Sequence, residues 1–121
     1  MGRSLGSGVA SYNSKKEGVQ GLILVTPYDS IEAVAKGQFP FLPVKLLLTE
    51  KFESYKYVNP EIPTLVLYAN NDSIIPNKNT DELLKYINKK SKIEKMSNTD
   101  HNRISETPEY WNYINNFVSN I

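Results

Sequence analysis

Two uninterrupted apolar runs constrain this chain more than any other feature. Gly21-Leu22-Ile23-Leu24-Val25 is closed by Thr26-Pro27, and Thr64-Leu65-Val66-Leu67-Tyr68-Ala69 begins after Pro63 and stops at Asn70-Asn71-Asp72. Runs this short, rich in branched residues and without a polar position, read as strands covered on both faces. Such strands lie in parallel sheets, whose connections must climb back over a sheet face and do so as helices. Helical patterns stand where they are needed. Over 81–90, Leu83, Leu84, Tyr86 and Ile87 recur at helical spacing, Asn79 or Thr80 is placed to cap the start, and charge runs from Asp81-Glu82 to Lys89-Lys90 with the helix dipole. A last helix opens with Thr107-Pro108 and sets Trp111, Ile114, Phe117, Val118 and Ile121 along the stripe expected to meet the sheet. Lys92–Met96 reads as a short edge strand, and 39–52 as a proline-punctuated turn followed by a short apolar helix over Val44–Leu48. The expected fold is α/β: one domain over 1–121, with about three parallel strands and flanking helices.

Composition removes several classes of function. With 40% hydrophobic and 22% charged residues the chain has the material of an ordinary globular core. A net charge of +1, with Lys and Arg scattered among Asp and Glu, offers no footprint for neutralising phosphates, so nucleic acid is not an expected partner. Without cysteine and with a single histidine, the chain can build neither a disulfide framework nor a His-rich zinc site, and no metal is expected. The apolar runs fall far short of the roughly 20 residues that cross a bilayer. Met1-Gly2 suggests myristoylation, but that motif wants Ser or Thr where this chain has Gly6. No signal segment is evident, so a cytoplasmic location is the expectation.

The chemistry resides in residues at the ends of these elements. Gly2-Arg3-Ser4-Leu5-Gly6 matches G-x-S-x-G, a sharp strand-to-helix turn that lifts a serine hydroxyl above the sheet. Side chains two before and two after the serine are expected to crowd each other, and Ser7, Gly8 and Ala10 continue a small-residue surface for close helix packing. The backbone N–H of Leu5, at the start of that helix, is then free to stabilise a developing oxyanion. The pattern alone also describes many glycine-rich helix starts; a phosphate-binding loop would need Lys after its last glycine, and Ser7 stands there. An acylating serine needs a base, and the base an orienting carboxylate. Asp72 lies just past the second apolar run, and His101, the one histidine, stands in the polar loop before the last helix. The order Ser, Asp, His is the order of α/β-hydrolase triads. Asp72 also suits a plain turn-former. Asp100 is a weaker carboxylate candidate, and Asp29, just past the first run, is the alternative acid.

On these motifs the chain resembles the α/β-hydrolase-fold serine hydrolases, in particular single-domain bacterial proteins similar to α/β-hydrolase-domain depalmitoylases. The resemblance rests on Gly2-Arg3-Ser4-Leu5-Gly6-Ser7-Gly8, the segment from Gly21 to Ser30, Lys51-Phe52-Glu53-Ser54, Asp72-Ser73-Ile74-Ile75-Pro76 and Asp100-His101-Asn102. It implies cofactor-free hydrolysis of an ester, thioester or amide in a small acyl substrate, with Ser4 attacking, His101 as base and Asp72 holding the imidazole.

The same resemblance exposes a departure. In that family several strands precede the serine, whereas here only Met1-Gly2-Arg3 do. The feeding strand, the other N-terminal strands and the loop that supplies a second oxyanion donor are expected to be missing. The chain thus reads as the C-terminal part of the fold: a truncated reading frame, a pseudogene product or half of a split gene. An open sheet edge would favour self-association or a complementing N-terminal segment. A non-catalytic remnant that associates through that edge is the alternative function.

Overall fold

The computed structural model describes residues 1–36 and 53–121. The expected turn and helix within 39–52, including Val44–Leu48, lie outside the described residues.

The described elements are β1 (Gly2–Arg3), α1 (Leu5–Asn13), β2 (Leu22–Val25), α2 (Ile31–Lys36), α3 (Ser54–Tyr57), β3 (Thr64–Ala69), α4 (Asn77–Leu84), β4 (Lys92–Met96), a 3-10 turn (Ile104–Glu106) and α5 (Pro108–Ser119). The strands form one four-stranded sheet in the order β1-β2-β3-β4, every pair parallel. The apolar runs form the strands Leu22–Val25 and Thr64–Ala69, each buried along its whole length, and Lys92–Met96 is the outer strand beside β3. Among the described residues this is one strand more than the three expected. Gly2↔Leu24 and Arg3↔Val25 pair, so the serine turn is fed by a two-residue stub where no strand was anticipated.

Because successive side chains on a strand point to opposite faces, each buried run supplies two cores. Ile23, Val25, Leu65, Leu67 and Ala69 meet Met96, Ile104 and the α5 residues Tyr110, Ile114 and Phe117. Leu22, Leu24, Val66 and Tyr68 face the other way, toward Val58, Leu83 and Ile87, with Ala10 and Tyr55 against them. A third cluster, Tyr28, Ile31, Val34 and Ile75, sits under the loops that follow β2 and β3.

Two helices differ from their expected register. The helix expected over 81–90 instead runs from Asn77 to Leu84, with Pro76 as its N-cap residue and no side-chain cap. Its first turn is held by tertiary bonds that no local pattern encodes: the Thr80 hydroxyl donates to the Pro27 carbonyl (2.7 Å), and Asn79 Nδ2 to Asp29 Oδ1 (3.0 Å). On α5 the inward stripe is Tyr110, Ile114 and Phe117; Trp111 is 54% exposed and Val118 and Ile121 are also exposed, against 2% for Tyr110. Trp111 and Tyr110 meet in a T-shaped pair, ring centroids 5.0 Å apart, so the exposed ring still packs against the buried one. Among the described residues no helix is long and apolar enough to cross a membrane.

Candidate active site

Ser4 stands between β1 and α1 with φ 50° and ψ −124°, a backbone conformation that a side-chain-bearing residue rarely adopts and that costs about 1–3 kcal/mol. Two anchors hold it there. Its N–H donates to the Val25 carbonyl (2.9 Å), continuing the β1–β2 ladder, and its carbonyl accepts from both the Ser7 N–H (2.9 Å) and the Ser7 hydroxyl (2.6 Å). The close approach of α1 to the sheet is made by small polar residues. Ser7, Gly8 and Ser11 are its buried positions, and the Ser11 hydroxyl is satisfied by the Ser7 carbonyl (2.8 Å).

The two motif glycines play unequal parts. A Cβ on Gly2 would stand 2.3 Å from the Gly6 carbonyl oxygen and 2.6 Å from the Ala10 Cβ, so this position is closed to any side chain. A Cβ on Gly6 would meet nothing within 4 Å. The expected mutual crowding is therefore one-sided: the Gly6 backbone, not a side-chain position there, is what presses on residue 2.

Asp72, in the loop after β3, does two jobs with one carboxylate. Its Oδ1 accepts from the Ile74 (2.9 Å) and Ile75 (2.7 Å) N–H groups and folds the loop that leads into α4. Its Oδ2 lies 2.8 Å from His101 Nδ1. The turn contacts and the contact with the imidazole, alternatives in the sequence, are made by separate oxygens. The side chains of Asp72 and His101 are 1% and 8% exposed, so their bond is made away from water. A carboxylate oxygen accepts, so the tautomer with its proton on Nδ1 satisfies this contact and leaves Nε2 as an acceptor. That Nε2 lies 3.0 Å from Ser4 Oγ. Sheet, turn and loop thus bring together three side chains remote in sequence.

The other carboxylates fall elsewhere. Asp29 accepts from Asn79, as described above, and its backbone carbonyl accepts from the Tyr55 N–H (3.3 Å). Asp100 shapes the histidine loop: its Oδ1 accepts from the N–H groups of Asn102 and Arg103, both at 3.0 Å, and its carbonyl from that of Ile104 (3.1 Å). Among the described residues no group of three or more His, Cys, Asp or Glu is arranged to hold a metal ion.

Leu5 opens α1, where the first N–H groups of a helix lack intrahelical acceptors. The Leu5 carbonyl accepts from the hydroxyl of Tyr28 (3.2 Å), a fully buried residue that the sequence reading passed over. Burial pushes the Tyr28 hydroxyl up to about 12, so it stays a neutral donor across ordinary pH. Arg3, the variable position of the motif, was overlooked too. Its guanidinium reaches the histidine loop, donating through Nη2 to the carbonyls of His101 (2.8 Å) and Asn102 (2.9 Å) and through Nη1 to Ser105 Oγ (3.4 Å). A full positive charge inside a glycine-rich turn was the available signal.

The sequence matches no protein-family model and no curated protein. Solved structures do match. The esterase domain of a Rhodothermus marinus protein superposes with a TM-score of 0.70 at 15% identity, over 97% of this chain and 55% of that one. An α/β-hydrolase enzyme from the metagenome of Mar Chica lagoon sediments in Morocco gives 0.60 at 16%, over 95% and 57%, and the monoacylglycerol lipase of Paleococcus ferrophilus 0.59 at 17%, over 97% and 64%. The chain therefore has an α/β-hydrolase fold and spans between about half and two-thirds of the length of these neighbours.

Proposed function

We propose that the chain is a serine hydrolase that cleaves an ester, thioester or amide bond through an acyl-enzyme, with water as the second substrate and no cofactor. The observation that carries this reading is the continuous relay from Asp72 Oδ2 through the His101 ring to Ser4 Oγ, at 2.8 and 3.0 Å. In the first half-reaction Ser4 Oγ bonds to the substrate carbonyl carbon while its proton passes to His101 Nε2. Asp72 steadies the imidazolium, and the Leu5 N–H supports the oxygen that gains charge. The tetrahedral adduct collapses as His101 returns the proton to the departing alcohol, thiol or amine. Water, deprotonated by His101, then attacks the acyl-serine, and the second tetrahedral adduct collapses to the free acid as His101 returns the proton to Ser4 Oγ. The names of the structural neighbours, esterase and monoacylglycerol lipase, belong to those proteins and agree with this class.

A fluorophosphonate probe tests the reading, since it phosphonylates an activated serine with loss of fluoride. Folded wild-type chain labels and Ser4→Ala does not; equal labelling of both would refute Ser4 as the nucleophile. A second reading, a non-catalytic chain that associates through its sheet edge, rests on β1 being two residues long. Leu22 and Ile23 of β2 have no register partner on that side, and an open groove beside them is lined by Gly2, Gly6, Ala10 and Gly21. Folded protein that stays unlabelled and elutes as an oligomer would favour it.

A further inference from the structure

We propose that Arg3 is a positioning residue for His101, a clamp that sets the distance between the serine turn and the histidine loop. The inference rests on the triad reading above and adds a residue to it. The relevant geometry is a closed circuit. Arg3 immediately precedes Ser4 and is locked to the sheet by its pairing with Val25. Its Nη2 bridges two consecutive carbonyls, those of His101 and Asn102, at 2.8 and 2.9 Å, and Nη1 reaches the Ser105 hydroxyl at 3.4 Å. One branch of the circuit runs from the Arg3 backbone through Ser4 Oγ to His101 Nε2. The other runs from the same backbone through the guanidinium to the main chain of the residue that carries that ring.

The histidine loop needs such a tether. It follows the outer strand β4, and Asn98 within it has a left-handed φ of 57°. Ile104 seats the far end of the loop in the core, and the Asp100 turn shapes the stretch between from inside. The bond to Asp72 fixes one ring nitrogen, and a pivot about that contact would carry Nε2 away from Ser4 Oγ. Holding the loop's main chain at His101 removes the pivot and keeps Nε2 facing Ser4. A guanidinium suits the task because its planar fork keeps a full charge and addresses several acceptors at once; an ammonium at the end of a flexible stem does so less well. Arg3 touches none of the reacting atoms. Its loss should therefore slow acylation without weakening probe binding.

The single histidine allows a direct readout, because ¹⁵N-histidine labelling of the full chain reports one ring. Wild type, Arg3→Met and Arg3→Lys are compared by the nitrogen shifts and Nδ1 proton exchange of that ring, with Asp72→Asn as the reference for a released ring. The same proteins are compared by the saturating rate and half-saturating concentration of fluorophosphonate labelling. Arg3→Met is expected to speed Nδ1 proton exchange and to slow labelling about tenfold to a hundredfold at unchanged half-saturation, the usual cost of a misplaced catalytic group. Arg3→Lys should recover part of both. A folded Met variant with the wild-type ring spectrum and labelling rate would overturn the clamp; if the Met variant does not fold, a Lys variant indistinguishable from wild type would do so. Should wild type itself not label, the hydrolase reading fails, while the ring measurements still decide the role of Arg3.

Discussion

Replacing Gly2 and Gly6 by alanine, one at a time, separates the geometry of this chain from the general motif, in which both glycines belong to the turn. At position 2 the new methyl would lie 2.3 Å from the Gly6 carbonyl oxygen, 2.6 Å from the Ala10 Cβ and 2.8 Å from the Gly6 carbonyl carbon. None of these is the yielding tip of a long side chain, so relief requires α1 to withdraw from β1 by about 1 Å. Overpacking of this kind costs about 1–3 kcal/mol. At about 4 °C per kcal/mol for a domain of this size, the melting temperature should fall by about 4–12 °C. Ser4 sits at the joint being forced open, and its 3.0 Å contact with His101 Nε2 should be lost with it. Labelling by a fluorophosphonate should then slow by roughly a hundredfold even well below the melting point. At position 6 the methyl meets nothing within 4 Å and replaces a helical glycine. Gly6→Ala should gain up to about 0.5–1 kcal/mol, or about 2–4 °C, from the reduced freedom of the unfolded chain, with labelling unchanged. Thermal melts by circular dichroism and timed labelling on the two variants are sufficient. Equal losses at both positions, or a Gly2→Ala variant with wild-type stability, would show the packing argument to be wrong.

Asp72→Asn keeps an oxygen for the Ile74 and Ile75 N–H groups but turns an N–H₂ toward His101, so the fold should persist while labelling drops by about 10⁴-fold; Asp29→Asn, which can still accept from Asn79, should label at the wild-type rate, and the reverse result would move the acid to Asp29. Tyr110→Ala should cost about 3 kcal/mol by emptying a core position, whereas Trp111→Ala should cost about 1 kcal/mol or less, measured by urea unfolding. Tyr28 releases its proton near 10 in the unfolded chain but only at about 12 when buried, so the folded state binds more protons between those values and stability should fall as pH rises from 10 to 12. Absorbance at 295 nm against pH should show the last tyrosine ionising together with loss of helical signal, and Tyr28→Phe should remove that contribution.

The strands were legible because a run buried on both faces leaves its mark in consecutive residues: Leu65 to Ala69 carry no charged or amide side chain, and the strand Thr64–Ala69 contains them. The helices were less so. Periodicity identified α5 but placed Trp111 inward, since hydrophobicity alone cannot tell a ring that fills the core from an exposed one packed against it. The start of α4 was missed because Asp72, Pro27 and Asp29 anchor it from outside its own segment. A two-residue strand has no periodicity to read, and β1 exists only through its pairing with Leu24 and Val25. Ser4, Asp72 and His101 could be put forward as candidates because each has a local mark: a G-x-S-x-G turn, a position just past an apolar run, and the polar loop before the last helix. Nothing local says that Arg3 reaches the carbonyls of His101 and Asn102 from the opposite end of the chain.

By itself, then, the sequence determined three of the four strands and that they run parallel, and it marked Ser4, Asp72 and His101 as candidates, because burial and turn chemistry act on neighbours along the chain. The tertiary structure alone decided that one Asp72 oxygen turns the loop while the other meets the imidazole, that residue 2 and not residue 6 must lack a side chain, and that a guanidinium spans from the serine turn to the histidine loop. Those are distances between groups brought together only when the sheet closes its register, and no pattern of residues along the chain carries them.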